Sequence, residues 1–167
     1  GLDSGKLLSV GSGDIVITGD SVGAGGIDFY AQSESIIGGA SAMGDITISV
    51  DNISLSGNTR IEGKGDLTIA PNSAGTTIGL GGGAGALNLE DAELARLQDG
   101  FSGITIGSLS SGAVTIDSAS FADPVTIAGA VIDDLSGTDL TLTDATDPTV
   151  TFVSPVAPGA LVGHLEV

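Results

Sequence analysis

Five aspartates crowd the last third of the chain: Asp133, Asp134, Asp139, Asp144 and Asp147. Carboxylates gathered at turn corners can collect Ca2+ through oxygen ligands. Their spacing is not that of an EF-hand, and Asp is also the residue that hydrogen-bonds turn backbone. They are read first as turn formers, with Ca2+ the one cofactor left open. Arg60, Glu62 and Lys64 alternate, so they point to one side of a strand-like segment, and they form the one mixed-sign cluster among four bases, Lys6, Arg60, Lys64 and Arg96. A glycan-cleaving site would need more acids beside such bases, so the plainer reading is a solvated strand face. His164 stands alone near the C-terminus, which is little to build a general base or metal ligand on. No Gly-x-Ser-x-Gly elbow sits between a strand and a helix. Gly81-Gly82-Gly83-Ala84-Gly85 lacks the following Lys of a phosphate loop. Leu87 stands where a calcium-binding nonapeptide repeat would need Asp. With no Cys there is no thiolate nucleophile or ligand. The expectation is a protein without catalytic activity.

The charge balance narrows the partners. Twenty-one acids against four bases give a formal charge of −17, which opposes binding to nucleic acid, where Lys and Arg must displace counterions. It equally opposes anionic membrane surfaces. Sixteen of the acids are Asp and five Glu, so much of the charge accompanies turns rather than helices. No apolar run reaches the ~18 residues of a membrane-spanning helix. The opening Gly1-Leu2-Asp3-Ser4-Gly5-Lys6 is not a signal peptide, so the chain is read as a mature product or a piece of something larger.

The elements that would hold these residues are short strands. A turn residue followed by apolar, Thr, apolar recurs at Asp45-Ile46-Thr47-Ile48, Asp66-Leu67-Thr68-Ile69, Gly103-Ile104-Thr105-Ile106, Ala113-Val114-Thr115-Ile116 and Pro124-Val125-Thr126-Ile127, with looser copies elsewhere, including Ile27-Asp28-Phe29. Each phrase alternates in, out, in, as a half-buried strand does. Leading phrases return about every 20 residues with another strand between, the rhythm of a coiled solenoid. Four Phe, one Tyr and no Trp suit a narrow core of stacked Ile, Leu and Val. The predicted fold is all-β: a right-handed parallel β-helix of five or six coils, with a longer first coil holding a loop or extra strand around 23–39. An antiparallel β-sandwich is the alternative, but Asp99-Gly100 is the one tight-hairpin pair. A short helix is predicted near 89–98, capped by Asn88, with Leu89, Leu94 and Leu97 as its apolar stripe and Gly100 ending it. The outward threonines Thr47, Thr68, Thr105, Thr115, Thr126, Thr141 and Thr151 have spacings that spread them over different faces, which argues against an ice-binding array.

The run from Gly44-Asp45-Ile46-Thr47-Ile48 to Gly65-Asp66-Leu67-Thr68-Ile69, and the stretch from Leu87 through Leu94 and Leu97 to Gly103-Ile104-Thr105-Ile106-Gly107, resemble repeats of filamentous-haemagglutinin-like proteins, the large β-helical adhesins of bacteria. The resemblance covers roughly residues 13–127. It implies a parallel β-helix serving as stalk, adhesin or extracellular fibre, and it carries over no catalytic or ligand residue.

Two regions follow: a β-helix over 1–152 and an apolar C-terminal arm over 153–167. The arm and its root hold Phe152, Val153, Val156, Leu161, Val162 and Leu165, with Pro155 and Pro158 interrupting regular structure. These residues are the candidates for self-assembly, adding strands to the exposed end of a second copy, as open solenoid ends invite. The functional expectation is a non-enzymatic structural or adhesive module of an extracellular or cell-surface bacterial assembly. Its partner would be itself, head to tail, or flanking repeats of a larger chain. The alternatives are a carbohydrate-active β-helix enzyme and an ice- or glycan-binding module.

Overall fold

In the computed structural model, which describes residues 1–20, 26–134, 140–143, 149–154 and 161–163, successive strands go to three different faces and each pairs with its counterpart one coil away. The first coil carries β1 (Leu2–Asp3), β2 (Lys6–Leu8) and β3 (Ile15–Thr18). The second carries β4 (Phe29–Gln32), β5 (Ile36–Gly38) and β6 (Ile46–Ser49), and the third β7 (Ile53–Leu55), β8 (Arg60–Glu62) and β9 (Asp66–Ala70). The fourth opens with two strands, β10 (Ile78–Leu80) and β11 (Leu87–Leu89), turns through α1 (Asp91–Leu94) and ends in β12 (Gly103–Gly107). Then come β13 (Val114–Ile116), β14 (Ala119–Phe121) and β15 (Val125–Ala128), followed by β16 (Ile132–Asp134), β17 (Leu140–Leu142) and β18 (Val150–Val153). A further strand, β19 (Leu161–Gly163), lies on β16.

The first face is built from β1-β4-β7 and β11-β10-β13-β16-β19, with β7 packed beside β11. The second face is built from β2-β5-β8 and β14-β17, and the third is the six-stranded sheet β3-β6-β9-β12-β15-β18. Every pairing joining these strands is parallel, as in β6 with β9 and β9 with β12. Parallel neighbours require a long crossover, and here the other two faces supply it. That winding is a parallel β-helix, all-β apart from one helical turn, and it leaves no place for the antiparallel sandwich. The stretch around 23–39 holds β4 and β5, so the longer first repeat contains two ordinary strands of the second coil. Ile27 precedes β4 and is exposed, so its copy of the strand phrase starts only at Phe29.

Register follows the alternation of the phrases. Ile46, Ile48, Leu67, Ile69, Ile104, Ile106, Val114 and Ile116 are all buried and belong to one continuous cluster. Only small residues fit where corners stack. Gly13, Gly44 and Gly65 lie one above another, and a Cβ on Gly44 or Gly65 would strike the carbonyl of the glycine one coil below. The Gly81-Gly82-Gly83-Ala84-Gly85 run has the same cause. Residues 81–86 alone link β10 to β11, which are parallel and in register from Ile78↔Leu87 to Leu80↔Leu89. Parallel neighbours ordinarily need a dozen linking residues. The loop manages with fewer by folding flat across β10, with Gly81 and Gly82 at positive φ and Gly83 against the Thr115 carbonyl.

The helix is shorter than its apolar stripe. Only Asp91–Leu94 is helical, although Leu89, Leu94 and Leu97 are all buried as expected. Leu89 is needed as the inward end of β11, and Leu97 bridges Ile61 as the next rung of the second face. Glu90, not Asn88, is the residue at the N-cap; Asn88 sits in β11 and donates its amide to Glu90 at 2.7 Å. Glu93 accepts from Glu90 N–H at 3.1 Å and from Leu55 N–H at 2.8 Å, which fastens the turn to β7. At the other end, the β-helix runs past 152: Val153 is the last residue of β18, paired with Ala128, and β19 adds another rung within the stretch expected to be an extended arm.

Candidate functional site

Several aspartates hold corners, and they bond an adjacent coil rather than their own turn. At the start of the third face Asp14 accepts Asp45 N–H at 3.0 Å, and Asp45 accepts Asp66 N–H at 2.9 Å. At the corner leading to the first face Asp28 accepts Asp51 N–H at 2.6 Å and Asn52 N–H at 3.1 Å. Asp51 in turn accepts Ser73 N–H at 2.8 Å and the Thr76 hydroxyl at 3.2 Å. Burial pushes the Asp51 carboxyl up, but hydrogen bonds from the side chain and backbone of Ser73 and from Thr76 outweigh it; with Asp28 pushing upward too, the net value lies below the ordinary one. Buried Asp123 accepts Gly100 N–H with both oxygens, at 3.0 and 3.2 Å.

Of the calcium candidates, Asp133 and Asp134 lie in β16 opposite Thr115 and Ile116. Their side chains, and all of Asp139, Asp144 and Asp147, lie outside the described residues. Among the described residues no three acids, His or Cys are grouped to hold a metal. Of the self-assembly candidates, Phe152 is half-buried against the core and Val153 half-buried beside it. Leu161 and Val162 have their backbone in β19, while Val156 and Leu165, like His164, lie outside the described residues. No described helix is long and apolar enough to cross a membrane.

The threonines correct the reading of their spacing. Thr47, Thr68, Thr105, Thr126 and Thr151 are partners across successive strands of the third face, one straight outward ladder, continued at the first coil by Val16. Only Thr115, beside Gly79, and Thr141, beside Ser120, fall on other faces. The corners between rungs differ in length, above all through the β10–β11 excursion, so sequence separation hides a register that the hydrogen-bond ladder keeps.

The bases are also regrouped. In the second face Lys6, Ile36 and Arg60 share one outward column. The Ile61–Leu97 bridge, with Ile61 N–H donating to Arg96 at 2.9 Å and Gln98 N–H to Ile61 at 2.9 Å, puts Arg96 at the register of Arg60 one rung on. Arg60 reaches Glu62 at 3.5 Å, as alternation suggested; Lys64 lies past the end of β8, with its ammonium beside Gly100. Lys6, Arg60 and Arg96 line a cleft of about 470 Å3 with Glu34, Ile36, Asn58 and Gln98 among its walls. Sequence reasoning grouped Arg60 with Lys64 and missed Arg96 and Lys6, because only the rung register brings them together. A second hollow of about 360 Å3 lies beside α1, walled by Asp91 and Ser118 among others, whose side chains already bond each other at 3.2 Å.

No known protein family, curated protein or solved structure matches the chain.

Proposed function

We propose that the chain is a non-enzymatic structural and adhesive module of an extracellular bacterial assembly, whose coils stack head to tail on those of a second copy by strand addition. The observation that carries this reading is the open first coil. β1, β2 and β3 each end a sheet with one edge unpaired among the described residues. Ile15 of that coil is buried, but three other large apolar side chains stand in water: Leu8 is 56% exposed, Val10 92% and Val16 70%. Ile15 N–H donates to Asp45 at 2.8 Å and Gly19 N–H to Ser49 at 3.0 Å. Alternation therefore turns the N–H and C=O of Val16 to the open side, ready for another parallel strand. Such contact repeats without closing, and so makes a filament. The resemblance to filamentous-haemagglutinin-like repeats supports the bacterial surface setting. The test is sedimentation of the purified chain against Val16→Lys, which charges the edge and leaves the β3–β6 bonds in place. Concentration-dependent growth that the variant abolishes is expected; a chain that stays monomeric at all concentrations contradicts the reading.

A second reading draws on the threonine ladder: a row of hydroxyls in register on successive strands, suited to an ordered surface, ice or a packed glycan. Thr105→Lys at its centre should abolish inhibition of ice recrystallisation while the fold persists. Absence of any such inhibition in the unaltered chain removes the ice form of this reading.

A further inference from the structure

We infer that the cleft on the second face is an oxyanion-binding site that takes the carboxylate or sulfate of an acidic saccharide. The chain carries four bases against 21 acids, and three of those four, Lys6, Arg60 and Arg96, line this one cleft. Chance scatter over a surface this acidic would pair each base with nearby carboxylates. Here Arg60 and Arg96 occupy the same outward column on adjacent rungs, about 4.8 Å apart along the axis. Like charges placed directly across strands repel and cost stability. Two carboxylates offset them in part: Glu62, paired with Arg60 at 3.5 Å, and exposed Glu34 on the cleft wall. Three cations against two acids leave the cleft locally positive on a strongly negative molecule.

Arg96 supplies the independent observation. Its Nε is buried and has no hydrogen-bond partner among the described residues. A buried charged donor left unpaired is costly, and a guanidinium is built to grip a planar or tetrahedral oxyanion through two parallel N–H bonds. One oxyanion lying between the Arg60 and Arg96 rungs would accept from the outer nitrogens of the same Arg96 guanidinium, which no described residue holds, and relieve the repulsion. The remaining walls favour a sugar as its carrier. Asn58 and Gln98 offer amides to hydroxyl groups, and Ile36 gives a small apolar floor. A nucleic acid fails here because its dense phosphates would meet the surrounding net charge of −17. A saccharide with one anion per ring meets that field far less. The site lies on a side face, with Arg60 and Arg96 two and three rungs from the open edge and Lys6 alone on the edge strand β2.

The test is calorimetric titration of the full chain with a tetragalacturonate, alongside a neutral tetragalactan, free galacturonate and sodium sulfate. Saturable binding of tetragalacturonate, weakened about tenfold or more by Arg96→Gln and by Lys6→Gln and unchanged by Lys64→Gln, is expected, with no binding of the neutral chain. Lys6 is exposed, so its variant keeps the test valid if Arg96→Gln disturbs the fold, which circular dichroism reports. Absence of binding by any anion at low salt overturns the proposal, as does binding that all the variants leave unchanged. Free galacturonate or sulfate bound as tightly as the tetramer overturns the saccharide part.

Discussion

An outward threonine and an inward isoleucine, adjacent on one strand, set the energetic scale of the molecule. Ile106 is fully buried and Thr105 is not. Ile106→Asp places an unpaired carboxylate in the core and should cost several kcal/mol. Thr105→Asp should cost less than about 1 kcal/mol. Urea unfolding of the two variants checks this, and equal losses would refute the alternation. The corner aspartates work on a finer scale. Asp45→Ala removes the acceptor for Asp66 N–H and should cost about 1 kcal/mol, whereas Asp45→Asn, which keeps a carbonyl oxygen, should cost less. Asp51 adds a pH dependence. Its pKa is lower in the folded chain than unfolded, so its stabilisation is present above the ordinary carboxylate value of about 3.9. It is lost as pH falls through the folded value. Thermal melts from pH 6 to pH 2 should therefore fall less steeply for Asp51→Asn than for the unaltered chain; parallel curves would remove Asp51 from the acid response.

At the scale of elements, glycine separates geometry from mere flexibility. Gly81 and Gly75 both have positive φ, yet a Cβ at Gly75 meets open space and one at Gly81 strikes the Ser118 carbonyl. Gly75→Ala should cost about 1 kcal/mol from backbone strain alone. Gly81→Ala should cost about 3 kcal/mol, overpacking added to strain, and should loosen β10 and β11 together. Comparable melting temperatures for the two would mean that the loop does not cross β10 as described. The strands themselves were legible in the sequence, because apolar-Thr-apolar between turn residues has one favourable burial. The helix was legible in place but not in length, since Leu89 and Leu97 satisfy a helical stripe and a rung equally well, and the rung won. The threonine ladder and the Lys6–Arg60–Arg96 column were not legible. Both exist only in register across coils, and register is set by corners of unequal length that local pattern does not reveal.

The described residues form a stack that is paired along its third face and leaves strand edges unpaired at its first coil. Along the sides, each strand of the third face between β3 and β18 is paired on both edges, and the acids at the corners are bonded to backbone. At the first coil, three strand edges and Leu8, Val10 and Val16 face water. Seventeen net negative charges keep copies apart in the absence of a specific contact, so association should strengthen as salt screens that repulsion. Electron microscopy of the purified chain in moderate salt tests the central claim most directly. Unbranched filaments one β-helix wide are expected, which Val16→Lys abolishes without unfolding the chain. Dispersed single particles under every salt and concentration tried, or filaments that Val16→Lys leaves intact, would contradict the claim.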